Sequence, residues 1–539
     1  MEGGFTSATT TINPLDLDSG QDKTASTPPH QSNESVRSPT CFANDVQSAH
    51  DYDLVTWDGP DDPANPQNWS QARKILVILV GCLLSFNVTF ASTAPTAGGS
   101  LDAQDFGTSP ETSYLVTTMV LAGYVFGPLL WGPGSEVFGR RPVFVLTTSA
   151  YTILHLGQSL ANNMITFSVT RFLSGVFAVA PLTNCGGLIA DLWGPTHRGP
   201  ATSLVMGWTF LGSCTGPVIG GLVIQSGLGW RWIFWIMMIF AFVCMVITIF
   251  CLPETFAPIL LQKKAIALRR ADPVANKHLY AAHEKADWSI ESVLKRTVFR
   301  AFYMLSMEPI LVLITIYLTL SYSILYALFE AFPVVFVETR GFNSAQNGLM
   351  FIAVGIGISI GALITAYLSW DYEPFVVKWK GSPPPEKRLY GAMIAGPCFV
   401  VGIFWFGWSG HYASVPWYIP ALSLIPLGAS ITLLFISFFT YIIDTYMMFS
   451  ASALAGHTII RSAVSAAFPL FTVQMFTKLG SGWASTILGL VGLILAPSPF
   501  LFHRYGTLIR SKSKFAPCHD LRIAAEIRAE EKQWDQVAL

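Results

Sequence analysis

The stretch Gly207–Gly221, GWTFLGSCTGPVIGG, is the part of the sequence from which the fold is most directly inferred. Gly212, Gly216 and Gly220 are four residues apart, so on a helix they share one face against which a second helix can pack closely. Pro217 has no N–H and its ring crowds the preceding turn, so it frees a carbonyl and favours a bend. The pattern predicts a bent, closely packed membrane helix built on Gly207, Gly212, Gly216, Pro217, Gly220 and Gly221.

The composition of the whole chain indicates a membrane protein. Of its 539 residues, 52% are hydrophobic and only 12% are charged, against roughly 25% charged residues in soluble domains. The formal net charge of −1 argues against a generally basic nucleic-acid-binding protein. The eight cysteines show no CxxC or Cys/His spacing, so we expect no metal site. Because the sequence has no GxSxG, P-loop or dinucleotide motif, we do not expect an enzyme.

Apolar segments of about 20 residues, each long enough to cross the hydrocarbon core of a bilayer, recur along the chain. We therefore predict an all-α membrane protein with twelve transmembrane helices in two six-helix bundles. The predicted spans are 73–95, 112–133, 143–161, 166–190, 200–224 and 232–252, followed by 309–337, 346–369, 389–410, 417–443, 451–477 and 483–503.

Polar segments flank and divide the two predicted bundles. With both termini in the cytosol, most of the 32 Lys and Arg residues face the cytosol, whereas Arg231, Arg340 and Lys478 face the other side. The sequence LLQKKAIALRRA, which follows the sixth span, predicts an amphipathic surface helix. We expect five segments: a disordered cytosolic tail 1–72, bundles 73–252 and 309–503, a cytosolic central loop 253–308 and a cytosolic tail 504–539.

The segment between the second and third spans, GPGSEVFGRRPVF (132–144), carries charges at a tight turn that Gly132 and Gly139 permit. We expect Arg140 to pair with an acid such as Asp191 at the end of the fourth span. Such a pair would latch one conformation and release in another, although a plain loop with cytosolic arginines is the alternative. The predicted latch comprises Gly132, Glu136, Gly139, Arg140, Arg141, Asp191 and Asp444.

This loop resembles the signature of the major facilitator superfamily between its second and third helices. RFLSG (171–175) is similar to the family's fourth-helix motif, and GSCTGPVIGG (212–221) to the fifth-helix motif of its proton antiporters. The resemblance implies two pseudo-symmetric bundles around a midplane site, driven by a proton gradient without a cofactor. Further segments resemble the fungal twelve-span drug:proton antiporters over residues 56–510: GWRWIFW (229–235), PETFAP (253–258), PEKRL (385–389), YIIDTY (441–446) and RSAVSAAFPLF (461–471).

Arg171 and Glu330 lie inside predicted spans, where an unpaired charge is costly. The resemblance implies that Arg171 takes part in proton handling, while a structural arginine bonded to first-helix carbonyls, together with Asn87, is equally compatible with the sequence. Glu330 lies among phenylalanines in the seventh span, where apolar surroundings favour a neutral carboxyl group. We expect Glu330 to bind and release the coupled proton.

The remaining interior residues suggest gating and a substrate cavity. For Arg461, Asp444 and Asp191 we favour helix-end electrostatics and gating over direct substrate contact. Aromatic residues on candidate cavity helices, including Tyr124 and Tyr326, would favour flat, apolar or cationic compounds.

The leading functional hypothesis is proton-driven export of small organic compounds, such as drugs, toxins or endogenous secondary metabolites. Alternatives are a proton-coupled importer, against which the fifth-helix motif argues, a specific exporter of polyamines or organic acids, and a nutrient sensor of the same fold. The expected partners are a small-molecule substrate, protons and the lipid bilayer, with no nucleic acid. We expect a monomer in the cell membrane, with the vacuolar membrane as the alternative.

Overall fold

The computed structural model describes residues 53–381, 383–524, 526 and 527. Within those residues the chain is helical, and its only β pairing is an isolated bridge between Leu54 and Tyr280. The predicted all-α class is confirmed.

The first half of the molecule contains six long helices. Gly139 (φ 96°), in the left-handed region that favours glycine, forms the turn into the third helix. Asn163 caps the fourth helix, because its side-chain oxygen accepts a hydrogen bond from the N–H of Thr166 at 2.7 Å. The six helices are α1 Gln71–Thr93, α2 Tyr114–Val137, α3 Arg140–Ser159, α4 Met164–Leu192, α5 Pro195–Gln225 and α6 Arg231–Cys251.

The second half has a similar order of helices. They are α7 Pro309–Phe332, α8 Phe351–Leu368, α9 Tyr390–His411, α10 Tyr418–Tyr446, α11 Ser450–Leu495 and α12 Ser498–Arg510. The exception is that the last two, α11 and α12, meet inside the twelfth predicted span. Helix α7 continues as a π-helical segment, Pro333–Glu338, and the short helix Ser344–Leu349 precedes α8. Other short helices are Gly99–Phe106, Ala257–Ala271, Ala282–Lys285, Ile290–Leu294, Arg300–Met307 and Glu373–Lys378.

Helices occupy all twelve predicted spans, and ten helical stretches are long and apolar enough to cross a membrane. Helix α3 is not among the ten, because its buried face carries polar side chains such as Thr147, Thr152 and Gln158. The tenth stretch runs from Ser450 to Arg510 and contains both the eleventh and twelfth predicted spans. Gly480 (φ 76°, ψ 154°) interrupts it between them. The helices are therefore consistent with twelve crossings, which stay a prediction.

The two halves pack against each other through two equivalent helix pairs. Helix α5 packs on α8, and α2 packs on α11. The second pair is the equivalent of the first when the two six-helix halves are exchanged. In that exchange α5 corresponds to α11, and α8 corresponds to α2. The pairing is that expected when two similar halves are related by a pseudo-two-fold axis.

The segment before α1 packs on the segment between the halves. The main-chain N–H of Val55 donates to the carbonyl of Tyr280 at 2.9 Å, and Lys264 lies 2.7 Å from Asp58 and 3.4 Å from Asp62. Residues 53–70 therefore form an ordered segment, unlike the disordered tail expected over 1–72. The order arises because their acidic and apolar side chains contact the helix Ala257–Ala271. Residues 1–52 lie outside the described part of the chain.

The segment between the halves, the segment before α9 and the end of α12 lie on one side of the bundle. A ring nitrogen of His283, in the segment between the halves, lies 3.0 Å from the carbonyl oxygen of Glu136 near the α2–α3 turn. Arg510, at the end of α12, contacts Glu386 before α9. We call this face, which also carries the start of α1, the terminal side.

Candidate functional site

A cavity of about 160 Å³ lies between the halves and reaches the terminal side, where Glu136, Arg140 and Asp444 line it. Its inner end is a smaller space of about 30 Å³, bounded by α1, α4, α5, α7, α10 and α11. The two spaces are adjacent, because Leu182, Met206, Phe439 and Thr458 line both.

Helix α5 forms one wall of the cavity and uses its glycines for backbone contact. A methyl group on Gly212 or Gly216 would collide with Phe86, Thr89 or Thr93 of α1, and one on Gly220 with Ala94. Pro217 cannot donate to the carbonyl of Ser213, and the Thr93 hydroxyl donates to that carbonyl instead, at 2.9 Å. The predicted glycine stripe therefore faces α1.

The other two glycines of the α5 motif face the second half. A methyl group on Gly207 would lie 3.1 Å from the side chain of Ala362 in α8. At the far end of α5, Gly221 lies against the carbonyl of Ser344, and Gly348 lies against the carbonyl of Pro217. These reciprocal contacts bring the halves together on the side opposite the terminal side.

Arg140 and Asp191, two of the predicted latch residues, form a charged cluster where α2, α3 and α4 reach the terminal side. The guanidinium of Arg140 lies 3.2 Å from the Asp191 carboxylate and donates to the Ser135 hydroxyl at 2.6 Å. The Glu254 carboxylate accepts the main-chain N–H groups of Arg140 and Arg141 at 2.9 and 3.2 Å, at the start of α3. A carboxylate at a helix N-terminus is electrostatically favourable. Glu254, within the quoted PETFAP segment, was not predicted as a site residue.

Three further predicted latch residues have different surroundings. The Glu136 side chain and Gly132 line the cavity mouth. The exposed guanidinium of Arg141 donates to the carbonyl of Ile249 at 3.0 Å and does not join the Arg140 pair.

The second half has a matching charged cluster. The guanidinium of Arg388, in the segment before α9, lies 2.9 Å from the Asp444 carboxylate at the end of α10. Arg140 and Asp191 hold the same relative positions six helices earlier, so the two pairs are pseudo-symmetric. Arg388 was missed as a partner of Asp444, although it belongs to the quoted PEKRL segment.

Arg171 occupies the polar core near the side opposite the terminal side. It is 1% exposed, and its guanidinium donates to the carbonyls of Val116 in α2 and Ala91 in α1 at 3.3 and 3.2 Å. Its second terminal nitrogen has no partner among the described residues. Asn87 is buried elsewhere, beside Tyr151, and does not hydrogen bond to Arg171. Arg171 is therefore hydrogen bonded to main-chain carbonyls, and Asn87 takes no part in these bonds.

Tyrosines connect this core with the inner end of the cavity. The hydroxyl of Tyr322 lies 3.4 Å from that of Tyr326, which lies 3.0 Å from the Ser92 hydroxyl. The Tyr124 hydroxyl points to the carbonyl of Val88 at 3.5 Å. Glu330 follows Tyr326 by one turn on α7, is 8% exposed, and makes no hydrogen bond or ion pair within the described part of the chain.

Asp102, in the short helix Gly99–Phe106, is a core residue that sequence reasoning missed. Its side chain is 3% exposed and one carboxylate oxygen has no partner among the described residues. Burial raises the pKa of Asp102 to about 7, although a hydrogen bond with Ser113 and the charge of Arg171 act in the opposite direction. Its charge also repels that of Glu330. No motif marks Asp102, which lies in a polar connection.

Arg461 lies in the middle of the eleventh span at the inner end of the cavity, not at a helix end. The guanidinium carbon is 4.2 Å from the centre of the Tyr322 ring and 5.4 Å from that of Phe435. The geometry places Arg461 where it can contact a bound molecule, whereas we had favoured a gating role.

Comparisons with known proteins agree with this architecture. The family model described as Major Facilitator Superfamily matches residues 76–469. The citrinin biosynthesis cluster transporter of Monascus ruber is 37% identical over 87% of this chain and 94% of its own length. The ascochitine biosynthesis cluster transporter of Didymella fabae is 37% identical over 86% of this chain and 89% of its own length.

Solved structures share the fold at low sequence identity. The proton:xylose symporter XylE has a TM-score of 0.58 at 17% identity, covering 81% of this chain and 96% of that one. The human organic anion transporter MFSD10 has a TM-score of 0.54, also at 17% identity, over 80% of this chain and 100% of that one. The chain belongs to the major facilitator superfamily and is a membrane transporter rather than an enzyme.

Proposed function

We propose that this transporter exports small organic compounds, such as drugs, toxins or the cell's own secondary metabolites, in exchange for protons. Several relatives carry names from biosynthesis clusters for secondary metabolites, which supports this substrate range. The driving force is the proton gradient, and the substrate and proton bind the two conformations with different preference.

The buried Glu330 carries the proton-coupling part of the proposal. An isolated carboxylate in a membrane bundle is costly unless it is paired or protonated, and no described cation pairs with Glu330. It lies two turns along α7 from Tyr322, which lines the inner end of the cavity. A proton at Glu330 can therefore bias the conformation that the cavity adopts without occupying the substrate space.

The sides of the membrane follow from the charge distribution. We infer that the terminal side is cytosolic, because it carries most of the Lys and Arg residues. The cavity then faces the cytosol, where a substrate for export is loaded. The protein acts as a monomer in the plasma membrane, and a vacuolar location is the alternative.

Inside-out vesicles containing the full chain test both coupling and direction. The labelled probe is a compound identified by growth screens of deletion and overexpression strains. A proton gradient, acidic inside, should fill these vesicles with the probe. Glu330→Gln should lower the gradient-driven uptake at least about tenfold, as expected when a proton-binding group is removed, with unchanged expression.

The matched control is Glu338→Gln, which neutralises an exposed carboxylate eight residues further along the chain. It should transport as the unchanged protein does. Full gradient-driven uptake by Glu330→Gln would exclude this role of Glu330, and emptying of preloaded vesicles by the same gradient would indicate an importer.

A further inference from the structure

The inner end of the cavity holds a cation without a counter-ion. Arg461 is 7% exposed, lines this space, and has no hydrogen bond or ion pair among the described residues. Its Nε is fully enclosed and unpartnered. Arg140 and Arg388, near the terminal side, each face an aspartate instead. A buried guanidinium without a partner is costly, so a ligand that supplies acceptors would be stabilised there.

The other polar groups around this space do not neutralise Arg461. The described lining residues include no Asp or Glu. The hydroxyls of Thr89, Thr209 and Thr458 donate to main-chain carbonyls at 2.6 to 2.7 Å. The titratable groups that act electrostatically on Arg461 are Tyr124, Tyr322, Tyr326 and His457. The ligand itself must therefore bring the negative charge.

The walls of the inner end are aromatic. Phe210 from the first half contacts Phe435 from the second half edge-on, with ring centroids 5.0 Å apart. Tyr322 and Phe439 complete this wall. The space of about 30 Å³ exceeds the roughly 10–15 Å³ that a cavity needs in order to hold a single water. It accommodates one small charged group, while the contiguous larger cavity accommodates the body of the molecule.

We propose that Arg461 binds the carboxylate or phenolate of an aromatic organic anion, whose rings lie in the larger cavity beside Leu182, Met206 and Phe439. This inference rests on the proposed transport of small organic compounds and selects a class within it. A guanidinium binds a carboxylate through two parallel hydrogen bonds. The positive charge of Arg461 repels polyamines and other cations, although the aromatic residues taken alone favour cationic compounds.

Binding to the purified full-length protein in detergent tests this without a proton gradient. The probes are one-, two- and three-ring aromatic acids (benzoate, 1-naphthoate and 9-anthroate), each compared with its neutral amide and its aminomethyl cation. At least one acid should bind about tenfold or more tightly than its amide, and the cation should bind weakest. Arg461→Gln should abolish the preference for the acid, and Arg461→Lys should retain part of it.

Arg504→Gln, which removes an exposed guanidinium on α12, is the matched control and should leave the preference unchanged. The inference is overturned if no acid binds, if amides or cations bind as tightly as acids, or if Arg461→Gln keeps the preference. The comparison of acid, amide and cation binding to the unchanged protein tests the inference even if the variants fail to fold. Loss of gradient-driven transport with intact Arg461-dependent anion binding would contradict the proposed function and leave this inference standing.

Discussion

The terminal side and the core of this transporter differ in whether buried charges are paired with an opposite charge. At the terminal side, Arg140 faces Asp191 and Arg388 faces Asp444 at 3.2 and 2.9 Å. In the core, Glu330 and Arg461 make no ion pair with any residue that the structure describes.

The difference separates two functions of buried charge. Removing one member of a buried pair is costly, because the remaining charge lacks a partner. A charge that already lacks a partner can instead be neutralised by a proton or by a substrate ion. We infer that the paired clusters hold one conformation and that the unpaired core groups respond to the transported species. Three predictions test this division.

The largest effect is expected where a pair is broken. Arg140→Leu leaves Asp191 and the Ser135 hydroxyl without their guanidinium partner. The free energy of unfolding should fall by about 3–5 kcal/mol, measured as a lower thermal unfolding midpoint in detergent.

Two variants accompany this measurement. Arg141→Leu removes the adjacent exposed arginine and should change stability by about 0.5 kcal/mol or less. The double variant Arg140→Leu with Asp191→Leu should recover part of the loss, since no unpaired carboxylate remains. A double variant less stable than Arg140→Leu alone would contradict the pairing argument.

An intermediate effect with a distinctive pH dependence is expected for Asp102. Its pKa of about 7 in the folded protein exceeds the unfolded value of about 3.9. The folded state therefore holds the proton more tightly, and the resulting stabilisation is present below about pH 4 and is lost as the pH rises through about 7. Relative to Asp102→Asn, the unchanged protein should lose on the order of a few kcal/mol across this range.

Asp105→Asn provides the control of opposite sign on the same short helix. Hydrogen bonds from Trp230 and Arg231 lower the pKa of Asp105, so its stabilisation is lost as the pH falls. Between pH 4 and 8 the difference in unfolding midpoint between Asp105→Asn and the unchanged protein should stay nearly constant, because Asp105 titrates below this range, whereas the difference for Asp102→Asn should change with pH. A pH-independent difference between Asp102→Asn and the unchanged protein would exclude titration of Asp102.

The smallest effect is expected for Tyr326→Phe. The Tyr326 hydroxyl lies 3.0 Å from that of Ser92, which also donates to the carbonyl of Thr89 at 2.8 Å. Because Ser92 keeps one partner, the loss should be about 1 kcal/mol, measured by thermal unfolding beside the exposed Tyr418→Phe. A loss as large as that of Arg140→Leu would mean that the tyrosine chain also holds the conformation.

The helices were predictable because membrane spans have a simple signature of apolar length. Glycine spacing correctly indicated a closely packed α5, and it could not identify α1 as the partner, since many helices could use the same stripe. The break at Gly480 was approximated by the gap between two predicted spans, because a single left-handed residue leaves little trace in hydropathy.

The site was less predictable, because partners meet across helices far apart in sequence. Asp191 was expected near Arg140 from their positions at the same membrane side, whereas Arg388 was not linked with Asp444. Asp102 is buried in the connection between α1 and α2, close enough to Arg171 for the two charges to interact, which its polar sequence does not reveal. Asn87 was paired with Arg171 on sequence alone, yet it faces another part of the bundle.

The reciprocal contacts of Gly221 with Ser344 and of Gly348 with Pro217 bear on how the cavity opens to the opposite side. Main chain lies directly on main chain, so no side-chain rotamer change at these positions can create an exit. Separation of α5 from the short helix Ser344–Leu349 must then occur as a rigid-body hinge motion of one half against the other. Substrate release would be an all-or-none movement of whole domains, without a local gate that opens independently.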